Sequence, residues 1–251
     1  MTTATTDTAG RASALLGQTV VVIGGSSGIG LETARQARAE GAELVLTGLD
    51  HGRLEQAAAE LGAKQTAAFD ATDSDALKGF FAGLPGPIGH VMVTGPGPYY
   101  APLAELDRDR AHRDFDNHLW LAIDVARNSV GRVRPGGTLL FMAGTAGRPG
   151  PGLSLEAANA AALPALIANL ALEIAPIRVN LIAAGFVDSP LSASLLGSDL
   201  DKRRAQLRAT LPIGRVVGPA DVAALAVHIM TNTALDGATY NIDGGEQLVR
   251  A

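Results

Sequence analysis

The chain has 251 residues, with 20 Lys and Arg against 25 Asp and Glu, and a formal net charge of -5. This length suits one large core and therefore one domain, and the lack of a basic run excludes nucleic acid as an expected partner. With no cysteine and no HxxxH or HExxH spacing among the five histidines, no disulfide and no metal site are expected, which leaves a small-molecule substrate or ligand.

The first eighteen residues lack the basic start and the apolar stretch of a signal peptide. We expect them to form a flexible tail before a domain that spans residues 19–251. No later run has the length and apolar character of a membrane span. The expected protein is therefore cytoplasmic and has no membrane partner.

From residue 19 onward, short apolar runs alternate with longer segments of helical period. The apolar runs predict strands at 20–23, 43–47, 67–70, 90–94, 138–143, 178–183 and 238–242. The segments between them predict helices at 29–40, 52–61, 107–133, 157–174 and 220–230. Runs that are apolar on both faces are typical of parallel strands between two helix layers, so the pattern predicts a doubly wound α/β sheet of the Rossmann type. Residues 188–218 break the period, and we expect a helical flap there.

A glycine-rich loop follows the first predicted strand and leads directly into a helix. Gly24 permits a tight turn, Gly28 lets the backbone approach a pyrophosphate, and Gly30 allows close packing of helix and strand. The intervening residues of the loop are expected to contact the same anion; they include Ser26, Ser27 and Ile29. A glycine-rich loop between a strand and a helix predicts a binding site for a nicotinamide dinucleotide. The alternative is a glycine-rich turn without a ligand.

Asp50 lies twenty residues beyond Gly30, near the spacing at which an acid binds the adenosine ribose. The predicted second strand ends before it, so Asp50 could equally cap the next helix. Leu49 offers no charge to a 2′-phosphate. The cofactor is therefore predicted to be NAD or NADP, with NAD favoured.

Four segments together resemble the short-chain dehydrogenase/reductase family. The loop reads GGSSGIG against the family's TGxxxGIG, and the others are residues 70–73 (DATD), 176–180 (PIRVN) and 242–245 (IDGG). The resemblance implies that Asp70 and Ala71 meet the adenine. It also implies a homodimer or homotetramer in which the helix at 157–174 packs against its symmetry mate.

The same resemblance shows departures at the catalytic positions. The family uses a serine, a tyrosine and a lysine to polarise the carbonyl and move the proton. Aligned without a gap, those positions hold Gly144, Glu156 and Ala160. The chain is thus identified as a divergent member that lacks the Ser/Tyr/Lys set.

Other departures cluster at the nicotinamide end. The family's Asn-Asn-Ala-Gly is replaced by residues 94–97 (TGPG), in which Gly95 keeps a cofactor role. Its Pro-Gly-x-x-x-Thr becomes residues 184–189 (AGFVDS), whose cofactor contacts are implied at Gly185, Val187 and Ser189. Asn117 matches the asparagine that anchors a water relay, although it could equally be a structural residue at a helix bulge.

Other residues near the expected nicotinamide end could replace the lost proton donor. Glu156 could donate the proton if burial raises the pKa of its carboxyl. Tyr99 is a second candidate, and the remaining ones are Tyr100, Thr145 and His118. For each of these, a packing role is the alternative.

Three functions remain open from the sequence. The first is an NAD(P)-dependent oxidoreductase with an atypical mechanism. The second is a non-catalytic dinucleotide-binding protein, and the third is a non-redox enzyme with Glu156 as its base. The substrate pocket is expected to be apolar, lined by Pro98, Tyr99, Tyr100, Leu153, Phe186 and Leu191.

Overall fold

A seven-stranded sheet forms the centre of the computed structural model, which describes residues 13–145 and 150–249. The strand order is β3-β2-β1-β4-β5-β6-β7. All neighbouring strands are parallel. The strands are β1 (Thr19–Ile23), β2 (Glu43–Gly48), β3 (Gln65–Ala68), β4 (Ile88–Val93), β5 (Val133–Gly144), β6 (Arg178–Ala184) and β7 (Thr239–Ile242). The order reverses between β1 and β4, which places a ligand crevice at the carboxyl ends of these strands. The predicted doubly wound sheet is confirmed.

Nine α-helices connect the strands in the described part of the chain. They are α1 (Gly28–Ala39), α2 (His51–Leu61), α3 (Ser74–Gly83), α4 (Arg108–Phe115), α5 (Leu121–Ser129), α6 (Ser154–Glu173), α7 (Pro190–Leu196), α8 (Leu200–Thr210) and α9 (Pro219–Thr231). The sequence did not predict α3. Its start is fixed by Asp73, whose carboxylate accepts hydrogen bonds from the backbone N–H groups of Asp75 and Ala76, each at 3.0 Å.

The long helix predicted over 107–133 is interrupted. A π-helical turn, Asp116–Trp120, separates α4 from α5. The chain leaves the helix after Ser129, where Gly131 adopts a left-handed φ of 74°, and β5 begins at Val133. A single extra residue in a helical turn shifts every side chain after it, which is how π-helical turns redirect residues at functional sites.

The two faces of the sheet are covered by different helices. On β1, Val21 and Ile23 pack into a core with α3, α5 and α6. Val20 and Val22 point to the opposite core, which contains residues of α1, α2 and α9. Alternate residues of one strand thus enter two cores, as expected for a sheet buried on both faces.

The domain begins before residue 19, which corrects the predicted tail. Leu15 is fully buried in the core beside α1 and β2. Its backbone N–H donates to the carbonyl oxygen of Glu40 at 2.9 Å. Residues 13–18 are therefore part of the packed domain, because the burial of Leu15 and its backbone hydrogen bond to Glu40 hold them there. Residues 1–12 lie outside the described part of the chain.

Two further predictions concern α6 and the flap at 188–218. By length and composition α6 could cross a membrane, which the sequence reading did not expect. A buried core helix passes the same test, and Leu163, Ile167 and Leu170 of α6 pack into the core.

The flap contains α7 and α8, which are joined by a short 3-10 turn.

Candidate active site

The glycine loop forms a cradle between β1 and α1. Gly24 has a φ of 85°, and the hydroxyl of Thr94 occupies the space that a β-carbon on Gly24 would need. A β-carbon on Gly30 would likewise overlap the carbonyl oxygen of Gly24. Ser27 caps α1 without a side-chain hydrogen bond, and the first turn of α1 has no acidic residue. The N–H groups of this turn can therefore receive an anion, so the cradle fits a pyrophosphate.

The adenosine side of the cradle lies at the end of β2. Gly48 ends the strand, and a β-carbon there would lie 2.8 Å from the Ser26 hydroxyl. Asp50 caps α2, where its Oδ1 accepts the backbone N–H of Arg53 at 2.8 Å. The capping role of Asp50 is confirmed. A second oxygen, Oδ2, lies 3.4 Å from the Arg53 guanidinium.

Asp70 and Ala71 follow β3 at the same edge of the sheet. Oδ1 of Asp70 accepts hydrogen bonds from the backbone N–H of Thr72 at 2.9 Å and from its hydroxyl at 2.7 Å. The Asp70 carboxylate thus closes a tight turn, and Ala71 packs against the core. The turn is preformed at the position where the resemblance places the adenine.

A cavity of about 780 Å³ opens at the carboxyl ends of β4, β5 and β6. Five of the predicted cofactor residues line it; these are Ile29, Gly95, Gly185, Val187 and Ser189. The other predicted cofactor residues lie outside its lining, on the glycine loop and at the ends of β2 and β3. The cavity therefore adjoins the end of the cradle that leads toward β4.

Three of the lining residues are fixed by the backbone after β6. Gly185 donates its N–H to the carbonyl oxygen of Ile242 at 3.1 Å. Val187 forms a parallel bridge with Val217, and the Ser189 hydroxyl caps α7 by accepting the N–H of Ser192 at 3.4 Å. These contacts fix the start of the flap relative to the sheet.

Glu156 lines the cavity and lies in the first turn of α6. Its Oε1 fills the space that a β-carbon on Gly144 would need, and its Cδ would be 3.1 Å from that atom. Burial raises the pKa of the Glu156 carboxyl; the Asp114 carboxylate adds to this effect, and His118 opposes it. The structure thus brings the predicted Glu156 against Gly144 and gives it an environment that favours a protonated carboxyl.

Tyr100 lines the cavity beside Glu156. Burial raises the pKa of its hydroxyl to about 12, with contributions from the charges of Glu156 and Asp114. The hydroxyl therefore stays protonated at neutral pH, so it can donate a hydrogen bond but is a poor proton source.

Sequence reasoning missed a buried polar network beside Glu156. Asp114 is 5% exposed, and its Oδ2 accepts the side-chain amide of Asn159 at 2.8 Å. Its Oδ1 accepts the backbone N–H of Tyr99 at 3.0 Å. Nδ1 of His118 donates to the backbone carbonyl of Asp114 at 2.7 Å, which leaves Nε2 as the free nitrogen of a residue that lines the cavity.

Two predicted catalytic residues are placed elsewhere. Tyr99 does not line the cavity; its hydroxyl accepts the N–H of Asp107 at 3.1 Å, and its ring lies 4.3 Å from the guanidinium carbon of Arg110. Asn117 lies in the π-helical turn and lines a separate, small cavity. The expectation that Tyr99 lines the pocket is therefore corrected, because its contacts with Asp107 and Arg110 hold it outside, and the π-helical position of Asn117 agrees with the structural alternative.

Comparisons with known proteins agree with this architecture. Residues 23–247 match a family model described as enoyl-(acyl carrier protein) reductase. The 2-(S)-hydroxypropyl-CoM dehydrogenase 3 of Xanthobacter autotrophicus is 31% identical over 253 residues, covering 92% of this chain and 97% of the relative.

Two solved structures extend the likeness. The MalC reductase/Diels-Alderase of Malbranchea aurantiaca superposes with a TM-score of 0.87 at 26% identity, covering 95% of this chain and 100% of that one. BdcA, solved in complex with NADPH, gives a TM-score of 0.82 at 25% identity, with 92% of this chain and 95% of that chain covered.

Proposed function

The chain belongs to the short-chain dehydrogenase/reductase family, and we propose that it is an NAD(P)-dependent oxidoreductase in which Glu156 replaces the usual proton-transferring tyrosine. The observation that carries the proposal is the position of Glu156. Its half-buried carboxyl lines the cavity, against the backbone of Gly144.

Dinucleotide binding is supported by the cradle. The left-handed Gly24, the uncapped first turn of α1 and the preformed turn at Asp70 match what a pyrophosphate and an adenosine require. A nicotinamide dinucleotide, when bound, supplies or accepts the hydride. Leu49 is 74% exposed beside the cradle and brings no positive charge, which favours NAD over NADP.

The usual catalytic set is absent in this proposal. Gly144, Glu156 and Ala160 stand where the family has its serine, tyrosine and lysine. Ala160 is buried and carries no cation that could lower the pKa of a neighbouring phenol. A carboxyl group with a raised pKa needs no such cation, because its ordinary pKa already lies below neutrality.

The proton route follows from the geometry. In carbonyl reduction, protonated Glu156 donates its proton to the substrate oxygen as the hydride reaches the carbonyl carbon, which leaves an alcohol and a carboxylate. Tyr100 can donate a hydrogen bond to the same oxygen. His118, whose Nδ1 donates to the backbone carbonyl of Asp114, also lines the cavity.

The test is the Glu156→Gln variant, which keeps the shape of the side chain and removes its acid. We expect kcat for carbonyl reduction to fall by about 10² to 10⁴, with little change in the Kd for NADH measured by calorimetry. The matched control is Glu105→Gln, an exposed carboxyl outside the cavity lining. Full activity of Glu156→Gln would overturn the proposal.

A pH profile gives a second readout. Burial raises the pKa of Glu156, so its protonated form persists to higher pH than that of an exposed glutamate. Reduction should therefore decline as pH rises through this raised pKa. In Glu156→Gln the remaining activity should lose that limb of the profile.

A second candidate function is a non-redox reaction in the same cavity. MalC, which has the same fold, is described as both a reductase and a Diels-Alderase, and a Diels-Alder reaction is not a redox reaction. Glu156 would then act as a base or hydrogen-bond donor. Turnover that persists without NAD(H) or NADP(H) would favour this candidate over the first.

A further inference from the structure

We infer that the second ligand of the cavity is an uncharged, predominantly apolar molecule with a single hydrogen-bonding oxygen. This inference rests on the proposed function, since it names the class of substrate that would occupy the same site. The walls of the cavity are largely apolar, which favours an apolar ligand. Apolar side chains reach the cavity from the loop after β4, from the start of α6 and from the flap, among them Pro98, Leu153, Leu195 and Leu207.

Two charged groups of the described lining, Arg203 and Glu246, are already paired with each other. The Arg203 guanidinium lies 2.5 Å from Oε1 of Glu246 and donates to Gln206 at 3.1 Å. The other oxygen of Glu246 accepts the backbone N–H of Phe186 at 3.3 Å. An anionic or cationic ligand would have to break these contacts before it found a partner, so the described lining selects for a neutral ligand.

Three of the six hydroxyl groups in the described lining also donate hydrogen bonds within the protein. The hydroxyls of Thr94, Ser192 and Thr210 donate to backbone carbonyls at 3.1, 2.8 and 2.9 Å. Glu156 and Tyr100 both line the cavity, and burial raises the pKa of each, to about 12 for Tyr100. These two donors can serve one oxygen, whereas a polyol would bury several hydroxyls without partners. Each such hydroxyl weakens binding by roughly five- to a hundredfold.

The volume fits this class of ligand. At about 780 Å³, the cavity lies within the range of sites that bury most of a drug-sized molecule. It also has to receive the nicotinamide end of the cofactor, because Gly95, Gly185 and Val187 are part of its lining. A ligand with one oxygen at Glu156 would therefore extend its apolar part toward the flap.

The experiment is calorimetric titration of the protein, saturated with NAD⁺ so that no hydride is available to reduce a ketone, with straight-chain 2-alkanones from butanone to decanone. Galactitol and decanoate are titrated in parallel as a polyol and as a charged chain. We expect Kd to fall on the order of fourfold for each added methylene until the cavity is full. Decan-2-one should bind at least tenfold more tightly than either decanoate or galactitol.

The matched variants are Leu195→Asp and Leu103→Asp. Leu195 lines the cavity and is 48% exposed, so the change introduces a charge there without opening the core. Leu103 is 84% exposed and lies outside the lining. Leu195→Asp should weaken decan-2-one binding at least tenfold, and Leu103→Asp should leave it unchanged. The chain-length series on the unaltered protein keeps the test valid if Leu195→Asp fails to fold.

The outcomes separate this inference from the proposed function. Affinity that is independent of chain length, or tighter binding of galactitol or decanoate than of decan-2-one, overturns the inference. Turnover of galactitol with NAD would do so while supporting the redox function. Chain-length-dependent binding without any turnover would sustain the inference and count against the oxidoreductase.

Discussion

The substitution Gly24→Ala tests the dinucleotide cradle quantitatively. Gly24 has a φ of 85°, which costs a non-glycine residue about 1–2 kcal/mol. The new methyl would also overlap the hydroxyl of Thr94, which donates to the carbonyl of Ile23 at 3.1 Å. Overpacking of this kind costs about 1–3 kcal/mol. The free energy of unfolding should therefore fall by about 2–5 kcal/mol, and Tm by roughly 4–20 °C.

Two controls isolate the overlap from the backbone strain. Gly17 has a φ of 70° and nothing within 4 Å of its missing β-carbon, so Gly17→Ala should show only the strain, about 1–2 kcal/mol. Thr94→Ala removes the hydroxyl and leaves the β-carbon at 3.6 Å, an ordinary contact. The double variant of Gly24 and Thr94 should therefore show a favourable coupling of about 1–3 kcal/mol.

Urea unfolding and calorimetric titration with NADH provide the measurements. Gly24→Ala should weaken NADH binding, because the loop must shift to admit the methyl group, whereas Gly17→Ala should leave NADH binding unchanged. If Gly24→Ala destabilises the protein no more than Gly17→Ala does, or if Thr94→Ala gives no coupling, the packing argument is wrong.

Three further predictions concern cofactor choice, acid stability and assembly. Leu49→Arg should shift the ratio of the NADH and NADPH dissociation constants at least tenfold toward NADPH, because a guanidinium binds a 2′-phosphate; an unchanged ratio would contradict this. Burial, with Arg134 and Arg178 nearby, lowers the pKa of His90 to about 3. Below about pH 6.5, His90 is protonated in the unfolded chain but stays neutral in the native one. The free energy of unfolding should therefore drop by about 2 kcal/mol from pH 8 to pH 5. In His90→Gln that drop should be absent from urea titrations, and an equal drop would refute the assignment. We also propose a dimer or tetramer through α6, where Leu172 is 81% exposed; sedimentation as a 25.6 kDa species at every concentration would exclude it.

The sheet and the cradle could be predicted because their signals are local. The runs around Val21, Val45 and Val179 are apolar on both faces, and a loop of glycines between strand and helix has few alternative conformations. The prediction of a flexible tail was wrong for residues 13–18, because Leu15 is buried in the core. Sequence periodicity does not reveal such an isolated anchor.

The catalytic side of the site was less predictable because it depends on contacts between distant residues. Asp114 and Asn159 are 45 residues apart, and neither carries a motif. Tyr99 and Tyr100 are neighbours, yet only Tyr100 lines the cavity, since Asp107 and the ring contact with Arg110 hold Tyr99 outside. Which of two adjacent side chains enters a site is decided by tertiary packing.

The roles proposed for Gly144 and Glu156 are linked by a direct contact between the two residues. Any side chain at position 144 would displace the Glu156 carboxyl, because its β-carbon would occupy the place of Oε1. Conversely, the glycine alone would leave a gap beside β5 that Glu156 fills. A serine at 144 would therefore require the Glu156 side chain to adopt another conformation. Under the proposed function, introducing a serine at 144 alone would move Glu156 rather than complete the site.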